Sequence, residues 1–259
     1  MLGRQVRHGT ERSTAPVTAV GRPLPLARRT ATALAAATAV VIAAAPATRA
    51  WARWRRGHDP GYGDDVPLLF DVNTEATVPT WYNAALLLAV AGMCLALASL
   101  RRSTTVDPGH RWLVLAAVFA GMSLDETVAV HERLGDVVSP DFAGSGLLRH
   151  SWVVAGAVLA VAFAAVCAWA LVTLPHRLRR GMVAGLAVYL GGALGVEAAS
   201  GAVLDRWGEG LAYTAVTLVE EGAEMAGAAI VLCTLLGALE VRRTEAGGVD
   251  VRLAPDVAG

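Results

Sequence analysis

Lysine is absent from the 259 residues; all 22 basic side chains are Arg, and 22 acids balance them to a formal charge of zero. Alongside the abundance of Ala, Val and Gly, this reads as a coding bias, so no weight falls on Arg over Lys at any one position. Charge of either sign is scarce. Charged residues make up 17% of the chain, against about 25% in a soluble domain. With 55% apolar residues and a mean hydropathy of +0.50, the composition excludes a cytosolic enzyme and a nucleic-acid binder. Only three cysteines are present, Cys94, Cys167 and Cys233, each inside an apolar run. An odd, buried set excludes a disulfide scaffold and reads as small packing residues.

What is there instead is a series of apolar runs near or above the ~18–20 residues that cross a bilayer as helix. They predict an all-α, six-helix transmembrane bundle over 30–243, with spans at 30–48, 82–100, 112–131, 152–174, 182–204 and 211–239. Residues 1–29 and 244–259 mix Arg, acids, Pro and Gly without apolar periodicity and read as disordered tails. Arg28-Arg29 ahead of an Ala-rich run ending in Ala45-Pro46-Ala47 resembles a cleavable signal peptide. The run exceeds the usual ~7–15 residues of a signal's apolar region, which favours a retained helix.

Charge sets the expected topology. The first tail, the 101–111 and 175–180 loops and Arg242-Arg243 are Arg-rich, whereas 49–81, 132–151 and 205–210 offset or replace Arg with acids. Both termini are therefore expected in the cytoplasm, in a bacterial inner membrane. All seven tryptophans, Trp51, Trp54, Trp81, Trp112, Trp152, Trp169 and Trp207, fall at or near a predicted span end, where the membrane interface favours them.

Three spans break the rule that a membrane helix avoids ionisable groups. The third carries Asp125 and Glu126, with His131 and Glu132 at its outer end; the fifth carries Glu197; the sixth carries Glu220, Glu221 and Glu224. Ending the third span at Met122 would leave only ~16 Å of helix, half a bilayer core. At 1.5 Å per residue, Asp125 lies ~20 Å outward from Trp112 and Glu197 ~22 Å outward from Met182, while Glu220 and Glu224 lie roughly 13 and 20 Å inward from Leu211. Acids on three helices thus share a layer from mid-membrane to the outer half, Glu224 being the deepest. On the sixth helix Tyr213, Thr217, Glu220, Glu221 and Glu224 fall within about a 100° arc. On the third, Asp125 and Glu132 share one face, with Glu126 about 100° to one side and His131 about 120° to the other, so the four do not serve one centre and Asp125 with either Glu126 or Glu132 is the expected set. Glu197 shares its face with Ala193, Ser200 and Gly201, small residues that admit a close neighbour.

A mid-span acid costs around 2.5–3.5 kcal/mol, and no Arg lies in the outer half of any span, so shared protons, water or a bound cation must compensate. Oxygen-rich sites suit hard divalent cations, and imidazole admits zinc or iron. A divalent metal is therefore expected, with Asp125, Glu197, Glu220 and Glu224 as first-choice ligands and Glu132 and His131 behind them. Glu221 and Glu126 are candidate general bases. A di-iron bundle would carry Glu-x-x-His on two helices, and Glu126 to His131 has the wrong spacing. A zinc hydrolase would supply more His than His131 and His150. The function expected is an outward-facing cation site, as a metal-dependent enzyme on a lipid or lipid-linked substrate; the alternatives are cation or proton transport and a structural or partner-binding bundle. The long 49–81 loop reads equally as a cover over the acidic mouth and as an unstructured connector.

The strings Phe70-Asp71-Val72-Asn73-Thr74-Glu75-Ala76-Thr77-Val78-Pro79-Thr80-Trp81-Tyr82, Ser123-Leu124-Asp125-Glu126 with His131-Glu132, and Glu220-Glu221 with Glu224 resemble a group of multi-pass bacterial membrane proteins. The resemblance spans about residues 70–240. It implies that these strings belong together and supplies no reaction.

Overall fold

The computed structural model describes residues 19–20, 26–57, 68–72, 74, 76–101, 109–131, 133, 137, 144–149, 152–244 and 247–258. Among these, six long helices follow one another: α1 (Leu26–Arg56), α2 (Val78–Arg101), α3 (His110–Val128), α4 (Trp152–Leu171), α5 (His176–Trp207) and α6 (Leu211–Leu236). Each overlaps one of the apolar runs. Three segments, Leu26–Arg55, Val78–Arg101 and His176–Trp207, are long and apolar enough to cross a membrane. The others fall short for visible reasons: α3 has 19 residues and two acids in its last turn, α4 is apolar but shorter over Gly156–Leu171, and α6 carries three Glu in its first half.

Helix boundaries follow local chemistry. Pro79 opens α2, where its missing N–H is one of the orphans of a first turn, and the Thr77 and Thr80 hydroxyls meet at 3.1 Å beside it. Gly109 precedes α3 at φ 68, and a Cβ there would stand 2.9 Å from the Ala98 carbonyl oxygen, so both backbone and space demand glycine. α1 continues through Ala45-Pro46-Ala47 without a break, and Ala45 is buried. Within α5 the segment Gly191–Val196 is a π-turn, an insertion that re-phases the helix beyond it.

α6 is the central helix, packing on α1, α2 and α5, while α2 and α3 form the other closely packed antiparallel pair. The α5–α6 contact is backbone on backbone. A Cβ on Gly227 would sit 2.5 Å from the Tyr189 nitrogen and 2.7 Å from the Gly185 oxygen. Where apolar burial against lipid tails gives no driving force, such close van der Waals approach holds helices together. The densest core, with Leu87, Leu97, Trp112, Leu115, Phe119, Met182, Met225 and Leu235 fully buried, fills the half of the bundle holding the start of α3 and the end of α6. Trp112, expected at the interface, is only 1% exposed: it stands at the start of its helix but turns inward.

That half is capped by a small sheet where the sequence predicts a mobile tail. β2 (Leu239–Thr244) pairs antiparallel with β3 (Val249–Leu253) from Leu239↔Leu253 to Arg243↔Val249, and β1 (Ala19–Val20) adds to β2. The short helix α7 (Pro255–Ala258) follows, and Arg101 donates to the Val257 carbonyl at 2.5 Å, tying the sheet end to α2. The hairpin alternates Leu, Val and Arg over a few residues, too briefly for a helical period to register. Of the expected N-terminal tail, residues 1–18 and 21–25 lie outside the described residues.

Candidate functional site: an acidic cavity opposite the sheet

Four helices approach one end of the bundle from alternating directions: α3 by its C-terminal half, α4 by its N-terminal half, α5 by its C-terminal half and α6 by its N-terminal half. Between them lies a cavity of about 530 Å³. Asp125, Glu126, Glu197, Glu220, Glu221 and Glu224 all line it, with His131. Six carboxyl groups from three helices thus face a single space, among them Glu224, which the depth arithmetic sets deeper than the others. Glu132 and His150 lie outside the described residues.

The third helix reaches this arrangement by a route that simple phasing misses. Continuous α-helix to residue 132 would put Glu126 and His131 on opposite flanks. α3 instead ends at Val128, and Ala129 takes the left-handed conformation at φ 50, its N–H donating to the Asp125 carbonyl. The chain then turns into a further helical stretch, the Arg133 N–H donating to the Ala129 carbonyl at 3.2 Å. The His131 backbone N–H donates to Asp125 Oδ1 at 2.9 Å, and His131 Nδ1 lies 2.8 Å from Asp125 Oδ2. Asp125 therefore anchors the turn that delivers His131, while Glu126 reaches the same cavity.

On α5 the π-turn directly precedes Glu197. Gly192 at its start touches α6, where a Cβ would meet the Glu220 carbonyl at 2.9 Å and Glu224 Cγ at 3.2 Å. Glycine here lets α5 lie against the acid-bearing stretch of α6, which brings the Glu197 and Glu220 carboxyl groups within electrostatic reach of each other. Of the small residues expected to flank Glu197, Ser200 lines the cavity and donates to the Glu197 carbonyl at 2.8 Å.

Glu224, the deepest acid, is buried and receives a hydrogen bond from Asn83 Nδ2 of α2 at 3.0 Å. Asn83 is itself fully buried, and its Oδ1 has no partner among the described residues. It was legible as a lone amide inside an apolar run, yet an amide carries no charge penalty large enough to flag it beside the acids. Tyr189 and Tyr213 also line the cavity, Tyr189 buried within electrostatic reach of Glu224, Glu126, Glu221 and Asp125. The opposite wall, Leu159, Ala160 and Phe163 of α4, is apolar.

At the mouth, Val72 and Thr74 line the cavity. Their segment is held to α1 by Arg49 and the buried Asp71 at 2.6 Å, and Val78 N–H donates to the Leu69 carbonyl at 2.8 Å. Part of the 49–81 loop, Val72 and Thr74, therefore borders the cavity that the acids line. On α6 the last cavity-lining acid, Glu224, is followed directly by the fully buried Met225.

Residues 33–239 match the family described as Domain of unknown function (DUF8692). The chain belongs to that family. The matched region takes in α2 to α6, every cavity-lining acid and most of α1, and leaves out the sheet hairpin beyond Leu239. No curated protein and no solved structure matches the chain.

Among the described residues, no three His, Cys, Asp or Glu side chains converge closely enough to hold a metal ion at one point. The acids ring a space rather than a centre. A cation that fits this geometry is held by several carboxyl groups across the cavity, through water or through its own N–H groups.

Proposed function

We propose that this is a six-span protein of the bacterial cell membrane, both termini cytoplasmic, whose outward-facing cavity binds a cation. The single observation that carries the reading is that six carboxyl groups and one imidazole share a cavity with no Arg in its lining among the described residues. Uncompensated, such a set is expensive in a low-dielectric setting, and a cation offsets repulsion that each acid adds. Orientation rests on the Arg-rich sheet end, where Arg101, Arg177, Arg180, Arg242 and Arg243 gather, against the acidic cavity end. Helices too short or too acidic to cross alone do so inside the bundle, their acids turned from lipid.

Divalent metals and organic cations both suit the carboxyl ring. A bound metal would draw Asp125, Glu197, Glu220 or Glu224 inward, with Glu221 or Glu126 left to move a proton. Translocation would need a polar route through the other half, which Leu87, Phe119, Met182 and Met225 fill.

The test is calorimetric titration of full-length protein in nanodiscs with calcium, manganese and propylammonium, beside metal analysis of the purified protein. At least one cation binds wild type, and Glu220→Gln/Glu224→Gln weakens it by about tenfold or more, the loss of about 1.4 kcal/mol or more of interaction. Equal binding by a variant that unfolds at the wild-type temperature, or no binding of any cation to wild type, overturns the reading.

A further inference from the structure

A second cavity, about 420 Å³, lies between α4 and α5. It meets the acidic cavity at Phe163 and Leu190, which line both. Its walls are apolar: Ala164, Cys167 and Ala168 on α4 face Val183, Leu186 and Ala187 on α5. Arg179 closes the far end, its guanidinium donating to the Val172 carbonyl at 3.2 Å. From Phe163 to Val172 the groove follows α4 for ~13 Å.

The groove exists because α4 is tethered unevenly. Cys167, Ala170 and Leu171 bury one side of its C-terminal half, and Arg111 clamps that end through the Trp169 carbonyl and the Thr173 hydroxyl. Ala164 and Ala168, facing α5, stay exposed because alanine is too short to close the gap.

The two cavities together describe one ligand shape. We propose that the site binds a single-chain amphiphile with a primary ammonium head: the head sits among the carboxyl groups and the alkyl chain lies in the α4–α5 groove. This rests on the cation reading above and names the class of cation. Charge complementarity selects the head, since the acidic cavity has six carboxyl groups and, among the described residues, no Arg in its lining. Primary ammonium is favoured because its three N–H donors each reach about 2.8 Å, farther than a metal–oxygen bond of about 2.0–2.6 Å, toward carboxyl groups that do not converge on one metal ion among the described residues. Adjacency selects the chain, because the groove adjoins the acidic cavity along Phe163 and Leu190, which line both, and extends along α4 to Arg179. In the proposed orientation this is also the polarity of a lipid in the outer leaflet, head outward and tail toward the midplane.

Competition against radiolabelled propylamine on the full chain in phosphatidylcholine nanodiscs tests this, using butylamine, octylamine and dodecylamine with dodecyl sulfonate as the anionic control. Affinity is expected to rise with chain length, up to roughly fourfold per methylene buried, and the sulfonate should not compete. Ala168→Trp and, independently from the other wall, Ala187→Phe should flatten the chain-length dependence while leaving propylamine binding within twofold. If the dependence persists in both filled-groove variants, it is bilayer partitioning and the groove inference falls. If propylamine binds but length gains nothing, the groove inference falls and the cation reading stands. If no amine binds while calcium or manganese does, the amphiphile falls and the metal reading stands; if no cation of any kind binds, both fall. Competition by the sulfonate equal to that of dodecylamine also overturns it.

Discussion

The two halves of the bundle are built from the same helices and solve opposite problems. At the sheet end Leu87, Leu97, Trp112, Phe119, Met182 and Leu235 fill the space between α2, α3, α5 and α6, and a hairpin caps the result. At the other end the same helices part around a space lined by acids. α6 shows the contrast within one element: Glu220, Glu221 and Glu224 precede Met225, Ala228, Val231 and Leu235, so cavity wall becomes dry core within one turn. The lesson is that the acids are tolerated by position. They are accommodated where α4 and α5 stand apart and the chain has room for water, shared protons or a ligand.

Moving an acid across that boundary breaks the contrast most severely. Met225→Glu, one residue beyond Glu224 but fully buried, is expected to cost about 3 kcal/mol or more. Thermal unfolding in detergent, or loss of the folded peak in size exclusion, reads this directly. Wild-type stability for this variant would mean that the sealed half is not dry.

The close α5–α6 approach is what lets one helix pair serve both halves. Gly227→Ala drives a Cβ into the Tyr189 backbone and should cost about 1–3 kcal/mol by overpacking. Gly92→Ala, whose Cβ would meet nothing within 4 Å, should be neutral or stabilising by up to about 1 kcal/mol. Denaturant midpoints of the two variants on one background give the comparison, and equal effects would dismiss the contact.

A third substitution probes the boundary itself. Asn83→Ala removes the amide that donates to Glu224 and should cost about 1–3 kcal/mol, with weaker cation binding as the second readout. The smallest effect is expected at the turn that delivers His131. Ala129→Val, a β-branched residue at φ 50, should lose about 1 kcal/mol, whereas Ala129→Gly should be nearly neutral because relief of left-handed strain offsets added chain entropy. The same unfolding midpoints decide it; a tolerated Val would place little importance on that turn.

Much of this was legible along the chain. Long apolar runs specify helix because an unpaired backbone amide is costly away from water, and acids interrupting them stand out because their transfer cost is large. Depth arithmetic at a fixed rise then brought Asp125, Glu197 and Glu220 to one level. Angular arithmetic did less well: it assumed uninterrupted α-helix, and both departures, the left-handed stop at Ala129 and the π-turn before Glu197, lie beside the acids they re-aim. The terminal hairpin escaped notice because its register comes from pairing between strands, with no periodic signal inside either.

What the sequence determined by itself was therefore where helices run and which depth each acid occupies, since rise per residue is a property of the backbone alone. Rotation about each axis, the partnership of Asn83 with Glu224, and the apolar groove left by α4 were decided only in the folded bundle. Those depend on how closely helices approach, and glycines at 185, 192 and 227 set that distance through contacts between residues far apart in the chain.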